Sequence, residues 1–129
     1  MKITSPYIIE LKDNEIFVFG ANEKFIHGAG AAKQALKWGA KYGKSGICDR
    51  TYGIPTKNKQ IQTLSLSKIE KHIEEFIQVV KDNPDLEFLV TEVACGLAGY
   101  KPKDIAPFFF LEELPVNISL PESFWKFKK

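Results

Sequence analysis

The sequence predicts an α/β fold in which a mixed central sheet carries helices on both faces. Three observations lead there. Short β-branched and aromatic runs alternate with segments of helical period, in the order β–β–α–β–α–β–α–β. The chain has 129 residues, and its ten Phe and two Trp supply apolar bulk for a core without a disulfide or structural metal. Two glycine-rich loops each follow a strand and precede a helix, where sheets of this class collect ligands.

The elements follow in order. Tyr7 to Leu11 is a short apolar stretch, and the preceding Pro6 makes it an edge strand. Glu15 to Phe19 is a firmer strand, β-branched and aromatic, ended by Gly20. Asn22 to Gly30 is a loop, followed by an Ala-rich helix from Ala31 to Trp38. Gly39 to Arg50 carries Gly39, Gly43 and Gly46 among polar residues and reads as loop. Thr51 to Thr56 is a strand with Pro55 at its end. Ser67 to Val80 is the clearest helix: Ser67-x-x-Glu70 forms a capping box, and Ile69, Ile73, Phe76, Ile77 and Val80 share one face. Asn83-Pro84 stops it. Leu86 to Ala94 is a strand whose Phe88-Leu89-Val90 run suits the sheet centre. Cys95 to Lys103 is loop, and a helix over Asp104 to Leu114 holds Pro107 in its first turn. Val116 to Leu120 is the last strand. With no internal repeat or linker, residues 1–129 form a single domain whose end, about 121–129, is a basic, aromatic tail.

Charge and cysteine usage narrow the function. Eighteen basic and sixteen acidic side chains leave a net charge of only +2, which argues against nucleic acid as a partner. Lys101, Lys103, Lys126, Lys128 and Lys129 read as a solvated end, with Trp125 and Phe127 packing onto the domain. Cys48 and Cys95 lack CxxC partners, and with only His27 and His72 no zinc-ligand set is expected. The N-terminus lacks the pattern of a signal peptide. No apolar run approaches the roughly twenty residues that span a bilayer, so no membrane association is expected. Reduced thiols place the chain in a cytoplasm, and no cofactor is called for. Oligomeric state is open.

The chemistry sits in the two loops. In the first, Gly20-Ala21-Asn22 leads into His27-Gly28-Ala29-Gly30-Ala31. The small residues let a ligand approach the backbone, and the following helix turns its free N–H groups toward an anion. Asn22 offers a donor and an acceptor to a sugar hydroxyl. In the second, Cys95-Gly96-Leu97-Ala98-Gly99-Tyr100 lets amides face a phosphate while Tyr100 offers a ring to a base or ribose. Together the loops could clamp a diphosphate from both sides.

Over about residues 15 to 120 the chain resembles the macrodomain family. Ala21-Asn22 and Gly28-Ala29-Gly30 match the family's Asn-Ala-Ala-Asn motif and Gly-rich run. Ala94-Cys95-Gly96-Leu97-Ala98-Gly99-Tyr100, with Pro102, matches its Ser/Gly-Thr/Cys-Gly-Ile/Leu-x-Gly-Tyr-Pro loop. The resemblance is closest to a compact macro-like group found in bacteria and their phages. It implies a three-layer macrodomain-like fold and a site for ADP-ribose or a related NAD-derived nucleotide, free or attached to a macromolecule. In a phage, such a site could sequester a nucleotide signal. By position, Asn22 would contact the distal ribose and Gly96 to Tyr100 would cradle the phosphates. The family's early Asp, which holds the adenine amino group, has only Asp13 as a counterpart, too near Asn22 for a clean match.

One branch of the family removes ADP-ribose from proteins or DNA with a Lys at the end of the middle strand. Ile54-Pro55-Thr56-Lys57 resembles that strand end and makes Lys57 the candidate catalytic residue, as nucleophile or as charge at the departing group. Ala98 stands where the terminal ADP-ribose protein glycohydrolase has an Asp, and Ala32 and Lys33 stand where another branch has one. Glu23 and His27 are the groups that could replace it. Binding without hydrolysis is therefore the first expectation and hydrolysis the alternative. A third is a single-stranded nucleic-acid module using Tyr100, Phe25 and the lysines.

Overall fold

The structure is a computed structural model that describes residues 1–23, 34–40, 46–96 and 98–128. Among the described residues, six strands form one sheet in the order β1-β6-β5-β2-β4-β3. They are β1 (Ile3–Thr4), β2 (Glu15–Asn22), β3 (Gly46–Cys48), β4 (Thr51–Lys57), β5 (Glu87–Val90) and β6 (Ile118–Pro121). All neighbours run parallel except β3, which lies antiparallel on β4 at one edge. The mixed α/β class expected from the sequence is present.

β2 shows why the sheet has two covered faces. Ile16 and Val18 point to one side, Phe17, Phe19 and Ala21 to the other, and all five are buried. The larger core gathers Ile16, Val18, Ile54, Phe88 and Val90 under α1 (Leu66–Asp82) and the C-terminal turns. The smaller holds Phe17, Phe19, Ala35, Trp38 and Ala40, with Ile8 and Leu11 packed against it. α1 buries Ile69, Ile73, Phe76 and Val80, a 4-3-4 spacing that keeps one stripe on the sheet.

Chain direction and face are linked. The connections from β1 to β2 and from β2 toward β4 cover the smaller core, while those from β4 to β5 and from β5 to β6 cover the larger one. A chain that crosses a parallel sheet right-handedly must change face when it reverses direction, which yields this division.

Several boundaries depart from expectation. Tyr7 to Leu11 is irregular, and the edge strand is Ile3–Thr4; Tyr7 and Ile9 are exposed while Ile8 and Leu11 pack inward. The alternation there comes from a coil laid on the smaller core. β2 runs on through Gly20 to Asn22, because Gly20 lies close to Thr56 and Ala94, with no room for a large side chain. Residues 46–48, read as loop, pair with Thr51–Gly53 across a tight turn. Pro55 stands inside β4, beyond the stretch paired to β3, so its missing N–H breaks no rung of that ladder. The cap of α1 is Ser65, two residues earlier than Ser67, and its Oγ accepts from the Lys68 amide; no capping box forms.

β5 ends at Val90 because Thr91 turns back, its amide and Oγ both donating to the Val18 carbonyl. The helix expected over Asp104 to Leu114 is split into α2 (Pro102–Ile105) and a 3-10 segment, Ala106–Phe110. Pro102 opens the first piece and Pro107 falls where the second begins. The expected Ala31–Trp38 helix is helical at Gln34–Ala35 and tightens to a 3-10 turn at Leu36–Trp38; its start lies outside the described residues. The C-terminal segment forms α3 (Glu122–Trp125): Phe124 is buried and the Trp125 indole donates to the Lys2 carbonyl at 2.8 Å.

Candidate functional site

β2 and β5 are adjacent and parallel, with Glu15 beside Glu87 and Val18 beside Val90. Their following connections leave toward opposite sides, β2 toward β4 and β5 toward β6. A reversal of this kind makes the carboxyl ends of the two strands a topological switch point, the place where open α/β sheets bind their ligands. Both glycine-rich loops start here.

The rim is built by short links. Asn22, half-buried, is the last residue of β2 and stands opposite Lys57, the last of β4, across a register shift after Ala21. The Glu23 amide donates to the Lys57 carbonyl at 2.8 Å, and Lys57 bridges in turn to Thr63. Thr63 Oγ1 donates to the Ala98 carbonyl at 2.9 Å. Asn22, Lys57 and the second loop thus share one rim.

The second loop is held by its own backbone. The Cys95 amide donates to Glu92, Gly99 to Gly96 and Tyr100 to Ala94. Ala94 and Gly99 take the left-handed conformation, at φ of 64° and 90°, which folds the segment tightly. Among the described residues, the Gly96 and Ala98 amides have no hydrogen-bond partner. Backbone amides of this kind are suited to donate to an anion. Tyr100 serves as an anchor: its hydroxyl donates to the Leu64 carbonyl at 2.8 Å and its ring packs against the larger core. Cys95 is half-buried, and burial, followed by the charges of Glu92 and Asp104, pushes its thiol up to about 12. It is a protonated wall group at neutral pH, unsuited to attack as a thiolate.

Of the residues expected in the site, Gly20, Ala21, Asn22, Lys57, Cys95, Gly96, Ala98, Gly99 and Tyr100 come to this edge of the sheet. Gly20 and Ala21 are wall and strand rather than loop; Thr56 Oγ1 donates to the Ala21 carbonyl at 3.3 Å. His27, Gly28, Ala29, Gly30, Ala31 and Leu97 lie outside the described residues. Thr63 escaped the sequence reading because it lies between elements with no motif; only its place opposite the last residue of β4 joins it to the site. Among the described residues no cluster of three or more metal-ligating side chains forms, and no helix is long and apolar enough to cross a membrane.

No protein-family model, curated protein or solved structure matches the chain.

Proposed function

We propose that the protein binds ADP-ribose or a related NAD-derived nucleotide at the switch point between the ends of β2 and β5, within a macrodomain-like fold. The observation that carries this reading is the adjacency of β2 and β5 with diverging connections, which brings Asn22 at the end of β2 and the segment from Cys95 to Tyr100 to one edge of the sheet. The pyrophosphate would lie against the Gly96 and Ala98 amides, and Asn22 would meet a ribose hydroxyl. Anions suit unpaired backbone donors, which supports a phosphate-bearing ligand over a neutral one.

Gly96→Glu tests this well. A side chain at Gly96 meets nothing within 4 Å, and its φ is not left-handed, so the fold accepts the change. A carboxylate there opposes a pyrophosphate, and calorimetric affinity for ADP-ribose should fall by about 100-fold or more. Unchanged affinity, or steeply salt-dependent retention of oligonucleotides in its place, overturns the reading.

The position of Lys57 favours a second reading, ADP-ribosyl hydrolysis. Lys57 ends β4 directly opposite Asn22, within reach of the same ligand. If the chain hydrolyses, Lys57→Ala stops release of ADP-ribose from modified protein or DNA and leaves binding in place. A wild-type protein that binds and releases nothing returns the assignment to binding alone.

A further inference from the structure

The second half of α1 and the segment after the 3-10 turn enclose a groove of about 410 Å³. α1 runs back from the carboxyl edge of the sheet, so this groove lies toward the amino ends of the strands. Ile77, Phe108, Leu111 and Leu114 give it an apolar floor, and Leu111 is 59% exposed. Its rim is acidic. Glu74, Glu112 and Glu113 stand there against Lys81, whose ammonium lies 3.6 Å from Glu112. Among the described residues, Glu74 and Glu113 take part in no ion pair. The 3-10 segment Ala106–Phe110 has this groove on one side and the C-terminal tail on the other: Phe108 lines the groove, while the Phe110 ring meets Trp125 at 5.6 Å. Beyond Trp125 the chain presents Lys126, Phe127 and Lys128, all exposed, and neither lysine has a carboxylate partner among the described residues. The tail is basic and aromatic where the groove is acidic and apolar.

We infer that the groove is a homodimer interface, in which the tail of a second copy lays Phe127 on the apolar floor and sets Lys126 and Lys128 against the acidic rim. A two-fold axis makes one patch serve both copies, and such a patch must complement itself. This one does: groove and tail adjoin the same 3-10 segment, so each copy gives a tail and receives one. The carboxylates attract a cationic surface and repel an acidic one. Phe127 and Leu111, which a single copy leaves partly in water, supply the apolar burial. Exposed ion pairs contribute little each, so the association is weak and reversible. The candidate nucleotide site lies at the other end of the strands, and the inference does not depend on it.

Sedimentation equilibrium on the full chain tests this. The wild type should dimerise with a Kd of about 1–100 μM at low salt, and about 0.5 M salt should weaken it about tenfold or more. Glu112→Lys with Glu113→Lys reverses the groove, and Lys126→Glu with Lys128→Glu reverses the tail. All these side chains are exposed, so the fold accepts either pair of changes. Each variant alone should be monomeric, because like charges then meet at both contacts. Mixed in equal amounts, the two variants should dimerise again at about wild-type affinity. The positive groove then faces the negative tail, and the unaltered groove faces the unaltered tail. Damage to the fold would not be undone by mixing. A dimer that survives both reversals overturns the inference, as does a mixture that stays monomeric. So does a monomeric wild type, even one whose groove takes up a free Lys- and Phe-rich peptide, which would assign the groove to a different protein.

Discussion

Cys95 illustrates how one side chain at the edge of the sheet sets a property of the whole chain. In the folded protein its thiol holds a proton up to about 12, first through burial and then through Glu92 and Asp104; in the unfolded chain it releases that proton near 9.0. Between those values the native state carries more protons than the unfolded one, so stability falls as pH rises. Below about 9 both states are protonated and the group contributes no slope. Cys95→Ala should therefore flatten the alkaline loss of urea resistance between pH 9 and 11 and leave the midpoint at pH 7 without a titration effect. Tyr52, raised by burial and by Glu75, adds to the slope at higher pH and keeps it from vanishing. At pH 8 the native thiol should react with iodoacetamide far more slowly than a free cysteine. An equal rate would contradict the burial described.

Among the elements, α1 shows most clearly what the residues reveal and what they conceal. Its stripe was legible because Ile69, Ile73, Phe76 and Val80 obey helical spacing whatever they pack against. Its start was less so, because Ser65 and Ser67 flank one Leu and both suit a cap; only the extended backbone at Ser65 decides. Its end depends on a residue 34 positions away in sequence. Asn117, 5% exposed, turns its amide nitrogen toward the carbonyls of Val80, Asn83 and Leu86 at 2.9–3.0 Å, tying the last turn of α1 and the entry to β5 to the entry of β6. Asn117→Leu removes a buried donor from all three carbonyls, of which Val80 and Asn83 keep a backbone amide, and should cost about 2 kcal/mol in urea unfolding. No local pattern marks an asparagine for that task. The short strand Gly46–Cys48 was hidden for a related reason: its three residues have one partner strand, and Ile47 at its centre is exposed, so no buried alternation marks it.

For the molecule as a whole, the sheet divides unequal cores that share β2. The larger contains α1 and most of the buried aromatic rings; the smaller depends on a few residues, with Phe17 and Trp38 rings 4.8 Å apart at its centre. Trp38→Ala removes the largest of them and should cost about 3–5 kcal/mol. Because Phe17 and Val18 are neighbours on one strand, the loss should appear as a single earlier transition by both tryptophan fluorescence and far-UV dichroism. Separate transitions would mean that the faces unfold independently. The same architecture explains how much of the candidate site could be read in advance. Glycine-rich segments after strands are visible in one dimension, so Asn22, Gly96 and Gly99 stood out. Thr63 did not, because only its pairing with Lys57 at the end of β4 brings it to the Ala98 carbonyl.

That order also has a consequence for biosynthesis. Among the described residues β1 pairs with β6 alone, and the Lys2 carbonyl accepts from the Leu120 amide and from Trp125, 123 residues later. Residues 2–4 must therefore wait for residues 118–125 to be synthesised before they find a partner. With translation at roughly 5–20 residues per second, that delay is several seconds, long compared with closure of a short loop. The β1 edge of the sheet is then among the final parts to form, after the sheet centre already exists to receive it.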